Sequence, residues 1–172
     1  MKHAYQVILV LAVMAIFVGV GWSAPDFVSS TPGTYRLLGK KDQIPLYKNI
    51  GKPVLIVFWA SWCPPCLTEV PQLNHLQQTY GPKGLQILGM DMDKESEDYI
   101  TLMVKRFEIT YPVTIPSPEL VRDFQVQAIP ASYLYDATGQ LVQTWLGPPP
   151  IEALELQIKK LLGAATPEEK AK

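Results

Sequence analysis

Cysteine and histidine are scarce in this chain of 172 residues, which holds two of each. Two cysteines, Cys63 and Cys66, cannot build the disulfide framework that staples small secreted domains. A zinc site would need two more ligands, and the histidines do not supply them. His3 lies near the N-terminus and His75 deep in a predicted helix, where it is expected at the surface. An excess of either charge is also missing. A formal net charge of −1 offers no basic surface for nucleic acid and little long-range steering of partners. Repeats are absent, and the one acidic cluster is the short tail TPEEKAK, expected to be disordered.

Charge is missing altogether from Ala4 to Ala24, an apolar run roughly long enough to cross a bilayer as a helix. It is either an uncleaved anchor or a cleaved signal peptide. Gly21 and Ser23 would suit cleavage after Ser23, but the run exceeds a typical signal core and favours the anchor. Lys2 should stay inside in both cases, placing the remainder outside the cytoplasm, where disulfides persist. Residues 25–34 read as a Pro- and Gly-containing linker, 35–163 as one folded domain and 164–172 as a tail.

Within the domain, 35–38 and 44–46 read as short strands around a Gly39 turn. The continuous apolar, β-branched run PVLIVFW (53–59) fits a strand buried on both faces. Apolar residues at helical spacing, Leu67, Val70, Leu73, Leu76 and Tyr80, predict a helix over 64–80, ended by Gly81-Pro82. A second buried strand is expected at 85–90. A helix at 94–107 would turn Tyr99, Leu102, Met103 and Phe107 to one side. A strand at 111–115 and a short helix at 118–124 follow. Strands at 132–135 and 141–145 join through the Asp136–Gly139 connection, and a helix closes the domain at 151–162. Tyr135 and Trp145 are expected in the core. The order predicts an α/β domain, a mixed central sheet flanked by helices.

The two cysteines stand in VFWASWCPPCLTEVP, residues 57–71. Cys63 directly follows the buried strand and opens the helix, where partial positive charge favours thiolate over thiol. Cys66 lies one turn on, within reach of a mixed disulfide formed at Cys63. This predicts an exposed nucleophile, Cys63, and a resolving thiol, Cys66, flanked by Trp59 and Trp62. A purely structural bridge over two residues would constrain little chain, whereas two thiolates could also hold Cu(I). Pro64 and Pro65 have no N–H, so only that of Cys66 remains to support a Cys63 thiolate. No Lys, Arg or His lies within several residues to add charge, which points to a weakly stabilised thiolate and a reducing dithiol.

FWASWCPPC, Pro71 five residues beyond Cys66, and Ile129-Pro130 before the penultimate strand resemble the thioredoxin superfamily. The stretch from Lys52 to Leu162 is similar to its TlpA/ResA-like branch of membrane-tethered thiol–disulfide oxidoreductases. The resemblance implies a thioredoxin-like fold with an inserted strand–helix unit, the helix at 94–107 and the strand YPVTI. It implies a cis Pro130 facing the cysteines, with the Ile129 backbone and Trp62 binding substrate. Glu69 would be the proton acceptor for Cys66, against the blander reading of an exposed acid in a helix's first turns. Ala128 and Ala131 depart from the branch's Gly and Thr around that proline. Val57 stands where thioredoxins proper carry a buried Asp.

The expected activity is reduction of disulfides in exported proteins, as in cytochrome c maturation or copper-centre assembly. No cofactor is expected, because the dithiol carries the two electrons. Expected partners are protein disulfides, a transmembrane electron donor and the membrane itself, with the domain a monomer on the outer side of a bacterial cytoplasmic membrane. The rivals are a Cu(I) chaperone on the same thiolates and a thiol peroxidase. Asp91 and Asp93 alternate with methionines at a strand end, with no support for a calcium role.

Overall fold

The computed structural model describes residues 33–164. The expected membrane segment, the linker up to residue 32 and the tail beyond 164 lie outside the described residues. Among those described, no helix is long and apolar enough to cross a membrane.

Seven strands form a single sheet: β1 (Thr34–Leu37), β2 (Ile44–Pro45), β3 (Val54–Trp59), β4 (Gln86–Asp91), β5 (Val113–Pro116), β6 (Ala131–Tyr135) and β7 (Leu141–Leu146). Their spatial order is β2-β1-β5-β4-β3-β6-β7. β3, β4 and β5 run parallel, while β6 pairs antiparallel with β3 and with β7. β3 is central and every one of its residues is buried, because helices cover both faces. Helices α1 (Pro64–Tyr80), α2 (Glu97–Arg106), α3 (Pro118–Asp123) and α4 (Ile151–Ala164) complete the chain, with a 3₁₀ turn at Leu46–Asn49.

Side chains alternate across the sheet, so β3 serves two cores. Leu55, Val57 and Trp59 pack with Val70, Leu73 and Leu76 of α1 and Leu154 and Ile158 of α4. Val54, Ile56 and Phe58 pack with Leu120 of α3, Phe124, Tyr133 and Tyr135. Tyr135 is thus core as expected, and Trp145 is partly buried against the first cluster.

The helix expected at 94–107 is shorter, because Ser96 caps it: its hydroxyl accepts from Tyr99 N. Its expected inner side needs correction. Ile100 and Met103 are buried, with Val104 and Phe107 partly so, whereas Tyr99 and Leu102 are exposed. Positions 100, 103, 104 and 107 form the better helical stripe. Helix α1 runs through the exposed Pro71, whose ring supplies no N–H to the Leu67 carbonyl. Gly81–Lys83 continues as a 3₁₀ turn, so Gly81-Pro82 changes the helix type rather than ending the coil abruptly.

Candidate active site

The chain leaves the C-terminal end of β3 at Trp59 and enters α1 at Pro64. Cys63 is the N-cap: extended, with its sulfur accepting from Cys66 N at 3.3 Å. That is the one nearby N–H the Pro-Pro pair leaves. The cysteines form a disulfide with Cα atoms 5.3 Å apart. The Cys63 sulfur here is therefore a disulfide sulfur occupying the place of the thiolate.

Cys63 is not exposed, contrary to expectation. It retains 3% of its accessible surface and Cys66 2%, both in the cluster that contains Ala60 and Val70. Capping draws the side chain back over the first turn. Trp62, at 67% exposure, and the exposed Pro64 and Pro65 present the site to solvent instead. Trp59 is buried.

Across the sheet, β6 begins beside the end of β3, with Ala131 opposite Phe58. Just before it the Ile129–Pro130 peptide bond is cis, as the resemblance implied. Pro130 is buried and its carbonyl accepts from Gly147 N at 2.8 Å. Ile129 is partly buried against both cores. Beyond Pro130, Leu146 stands opposite Ala131 and is 73% exposed.

Glu69, one turn beyond Cys66, is 2% exposed, which removes the bland reading of a solvated acid. Neither carboxyl oxygen has a hydrogen-bond partner, and burial pushes the carboxyl up to about 7. An apolar site disfavours the charged form until solution is near neutral. Burial, and then the charge of Glu69, raises the Tyr111 hydroxyl. Tyr111 and the unpartnered indole N–H of Trp59 both lie against Gly89. A Cβ at Gly89 would stand 2.8 Å from the Tyr111 ring and 3.2 Å from Trp59 Nε1. Glycine in β4 is what admits both rings.

Sequence reading named the two aspartates but gave them no role at the site. Asp91 is 5% exposed at the end of β4, opposite Trp59, and its carboxyl is pushed up to about 8, first by burial and then by Asp93. Asp93 accepts from Ser61 N at 2.8 Å and Ser61 Oγ at 3.1 Å. The only signal in the sequence was two carboxylates at the end of a strand parallel to the one that delivers Cys63. Exposed His75 takes no part. No group of three or more metal-ligating residues occurs among the described residues.

Comparison with known proteins agrees with this geometry. The Redoxin family model matches residues 19–161. A thiol-disulfide oxidoreductase ResA of Bacillus thuringiensis subsp. konkukian is 34% identical over 143 residues, 83% of this chain and 78% of that protein. The thioredoxin-like protein YneN of Bacillus subtilis is 31% identical over 129 residues, 74% of this chain and 71% of its own. A crystal structure of a thioredoxin-family thiol:disulfide interchange protein from Chlorobium tepidum TLS superposes with a TM-score of 0.67 at 26% identity. It covers 82% of this chain and 99% of that one.

Fold and dithiol together define a thiol–disulfide oxidoreductase with a thioredoxin-like α/β fold, in which α2 and β5 stand between β4 and α3. More particularly, the chain belongs to the Redoxin family, within the TlpA/ResA-like part of the thioredoxin superfamily.

Proposed function

We propose that the enzyme works as a reductase of disulfides in exported proteins, with Cys63 as nucleophile and Cys66 as resolving thiol. The observation that carries this reading is the Cys63 sulfur at the α1 N-cap with a single N–H on it, with a buried carboxyl, raised to about 7, one turn beyond Cys66. The Cys63 thiolate attacks one sulfur of the substrate disulfide, forming a mixed disulfide and releasing a substrate thiolate. Glu69 takes the Cys66 proton. The Cys66 thiolate then attacks the Cys63 sulfur, closing the Cys63–Cys66 bond and releasing the second substrate thiolate. Two electrons pass to the substrate, and its thiolates acquire protons from Glu69 and solvent. Trp62 and the Ile129 backbone bind the chain around the scissile disulfide, with Pro130 covering the cysteines.

The reducing direction rests on the Pro64-Pro65 pair, which denies the thiolate further donors. An outside location rests on the uncharged segment Ala4–Ala24, which favours a membrane anchor. Re-reduction there calls for a transmembrane dithiol donor. Cytochrome c maturation or copper-centre assembly would supply the substrates.

Trapping tests the chemistry. Cys66→Ser should accumulate mixed disulfides with exported proteins, and Cys63→Ser should form none and lose all insulin reduction. Equal alkylation of both thiols in the folded reduced protein would overturn these roles. Full-length protein should resist carbonate extraction from membranes; a soluble form beginning at Ala24 would replace the anchor by a cleaved signal.

A further inference from the structure

Ser61 stands two residues before Cys63, so at most about 7 Å of chain separates the two. Asp93 holds that serine by both of its hydrogen-bonding groups, N–H at 2.8 Å and Oγ at 3.1 Å, using a different carboxyl oxygen for each. The serine hydroxyl also lies 3.4 Å from Tyr99 Oη on α2. Cys63 N in turn donates to the carbonyl of Ala60 at 3.2 Å, closing the turn that presents the sulfur. The segment after β4 therefore grips the loop that carries the nucleophile.

The pair of aspartates also concentrates charge at this loop. Asp91 accepts from Asp93 N at 3.4 Å, and its buried carboxyl keeps its proton at neutral pH. Asp93 is the member of the pair bonded to Ser61. Among the described residues the ion pairs are Arg36–Glu97, Arg122–Glu119 and Lys159–Glu155, none of which reaches Asp93. A carboxylate bonded to Ser61, two residues before Cys63, and without an ion-pair partner among the described residues, opposes a second negative charge on the Cys63 sulfur.

We infer that Asp93 is a positioning residue that also sets the redox poise: it fixes the Ser61–Cys63 loop and, by its charge, destabilises the Cys63 thiolate. This acts in the same sense as the missing donors at Pro64 and Pro65 and makes the dithiol more reducing. The inference rests on Cys63 being the nucleophile, as proposed above.

The experiment measures the Cys63 pKa from thiolate absorbance and the dithiol–disulfide equilibrium against glutathione, in wild type and variants of the full chain. Asp93→Asn keeps the shape and can still accept from Ser61 N, but carries no charge. It should lower the Cys63 pKa by roughly half to one unit and, at a pH above that pKa, shift the glutathione equilibrium about three- to ten-fold toward the dithiol. Asp93→Ser should do the same with a smaller side chain, giving a second reading if the amide perturbs folding. Ser61→Ala removes one bond and leaves the charge, so its pKa should match wild type. Pro64→Gly, which restores a donor, is the positive control for a lowered pKa. Unchanged values in both Asp93 variants, with a shift in Pro64→Gly, would overturn the inference while leaving the dithiol reductase intact. A Ser61→Ala shift as large as that of Asp93→Asn would overturn the role of charge. Failure of the wild-type dithiol to react through Cys63 would instead overturn the function on which the inference rests.

Discussion

On the sheet face covered by α3, the Tyr35 hydroxyl donates to Asn49 Oδ1 at 3.1 Å, and Asn49 Nδ2 donates to the Leu46 carbonyl at 3.0 Å. Thr114 there donates to the Gly89 carbonyl at 3.2 Å, and Tyr133 to that of Phe124 at 3.3 Å. On the face covered by α1, both Glu69 oxygens, Trp59 Nε1 and Ser132 Oγ are buried without partners, whereas α3 itself contributes one such atom, Asp123 Oδ2. Aromatic packing reinforces the first face, where Phe124 and Tyr133 meet edge to face with centroids 4.9 Å apart. Native cores satisfy nearly all buried polar groups, so a concentration of exceptions needs a cause. Here the larger share lies on the face that carries the dithiol: that face gives up polar pairing to keep an acid near its titration point, while the other supplies stability.

Glu69→Gln should break the contrast most strongly. Removing the proton acceptor should slow resolution of mixed disulfides roughly 10²-fold above pH 7 and abolish the inflection near 7 in the rate profile. Stability should move the other way. In the unfolded chain the carboxyl titrates near 4.5 and in the fold near 7, so the fold binds the extra proton between them. Stability associated with this group is complete below 4.5, is lost as pH rises through 7, and stays lost above it. Glu69→Gln should therefore be more stable than wild type at pH 8, by up to about 3 kcal/mol, and no more stable at pH 4. Urea unfolding at the two pH values checks the sign.

Tyr35→Phe probes the satisfied face. It strips Asn49 of one partner for its amide oxygen and should cost about 1–3 kcal/mol in urea unfolding. The pH profile of exchange should not change. A shifted profile would mean that the two faces are not independent.

Ser132→Ala gives the smallest expected effect. Its hydroxyl is fully buried and unpartnered, so removal should leave stability within about 0.5 kcal/mol or raise it slightly. A loss comparable to that of Tyr35→Phe would show that this hydroxyl is satisfied in solution and that the contrast between the faces is smaller than the geometry indicates.

The strands and the long helix were legible because their signals are local. VLIVFW is β-branched and unbroken, and α1 carries its apolar stripe from Val70 to Tyr80. Helix α2 was less legible. Its ten residues offer two overlapping apolar stripes, and the sheet selects Ile100 and Met103 while leaving Tyr99 and Leu102 in water. The cysteine pair stood out by spacing and by its place after a buried strand. Ile129-Pro130 and Glu69 were reached only through resemblance to a family, since no local pattern distinguishes either.

The sequence by itself determined the dithiol, its place at a helix start and the shortage of donors around Cys63, because these depend on neighbours along the chain. Tertiary structure alone decided that Cys63 is covered and that Glu69 is desolvated enough to titrate near 7. It also decided that Asp93, thirty residues beyond Cys63 in the chain, holds the loop in front of it. The physical reason is range. Capping and periodicity act over a few residues, whereas desolvation and charge act through space between strands that only the parallel pairing of β3 and β4 brings together.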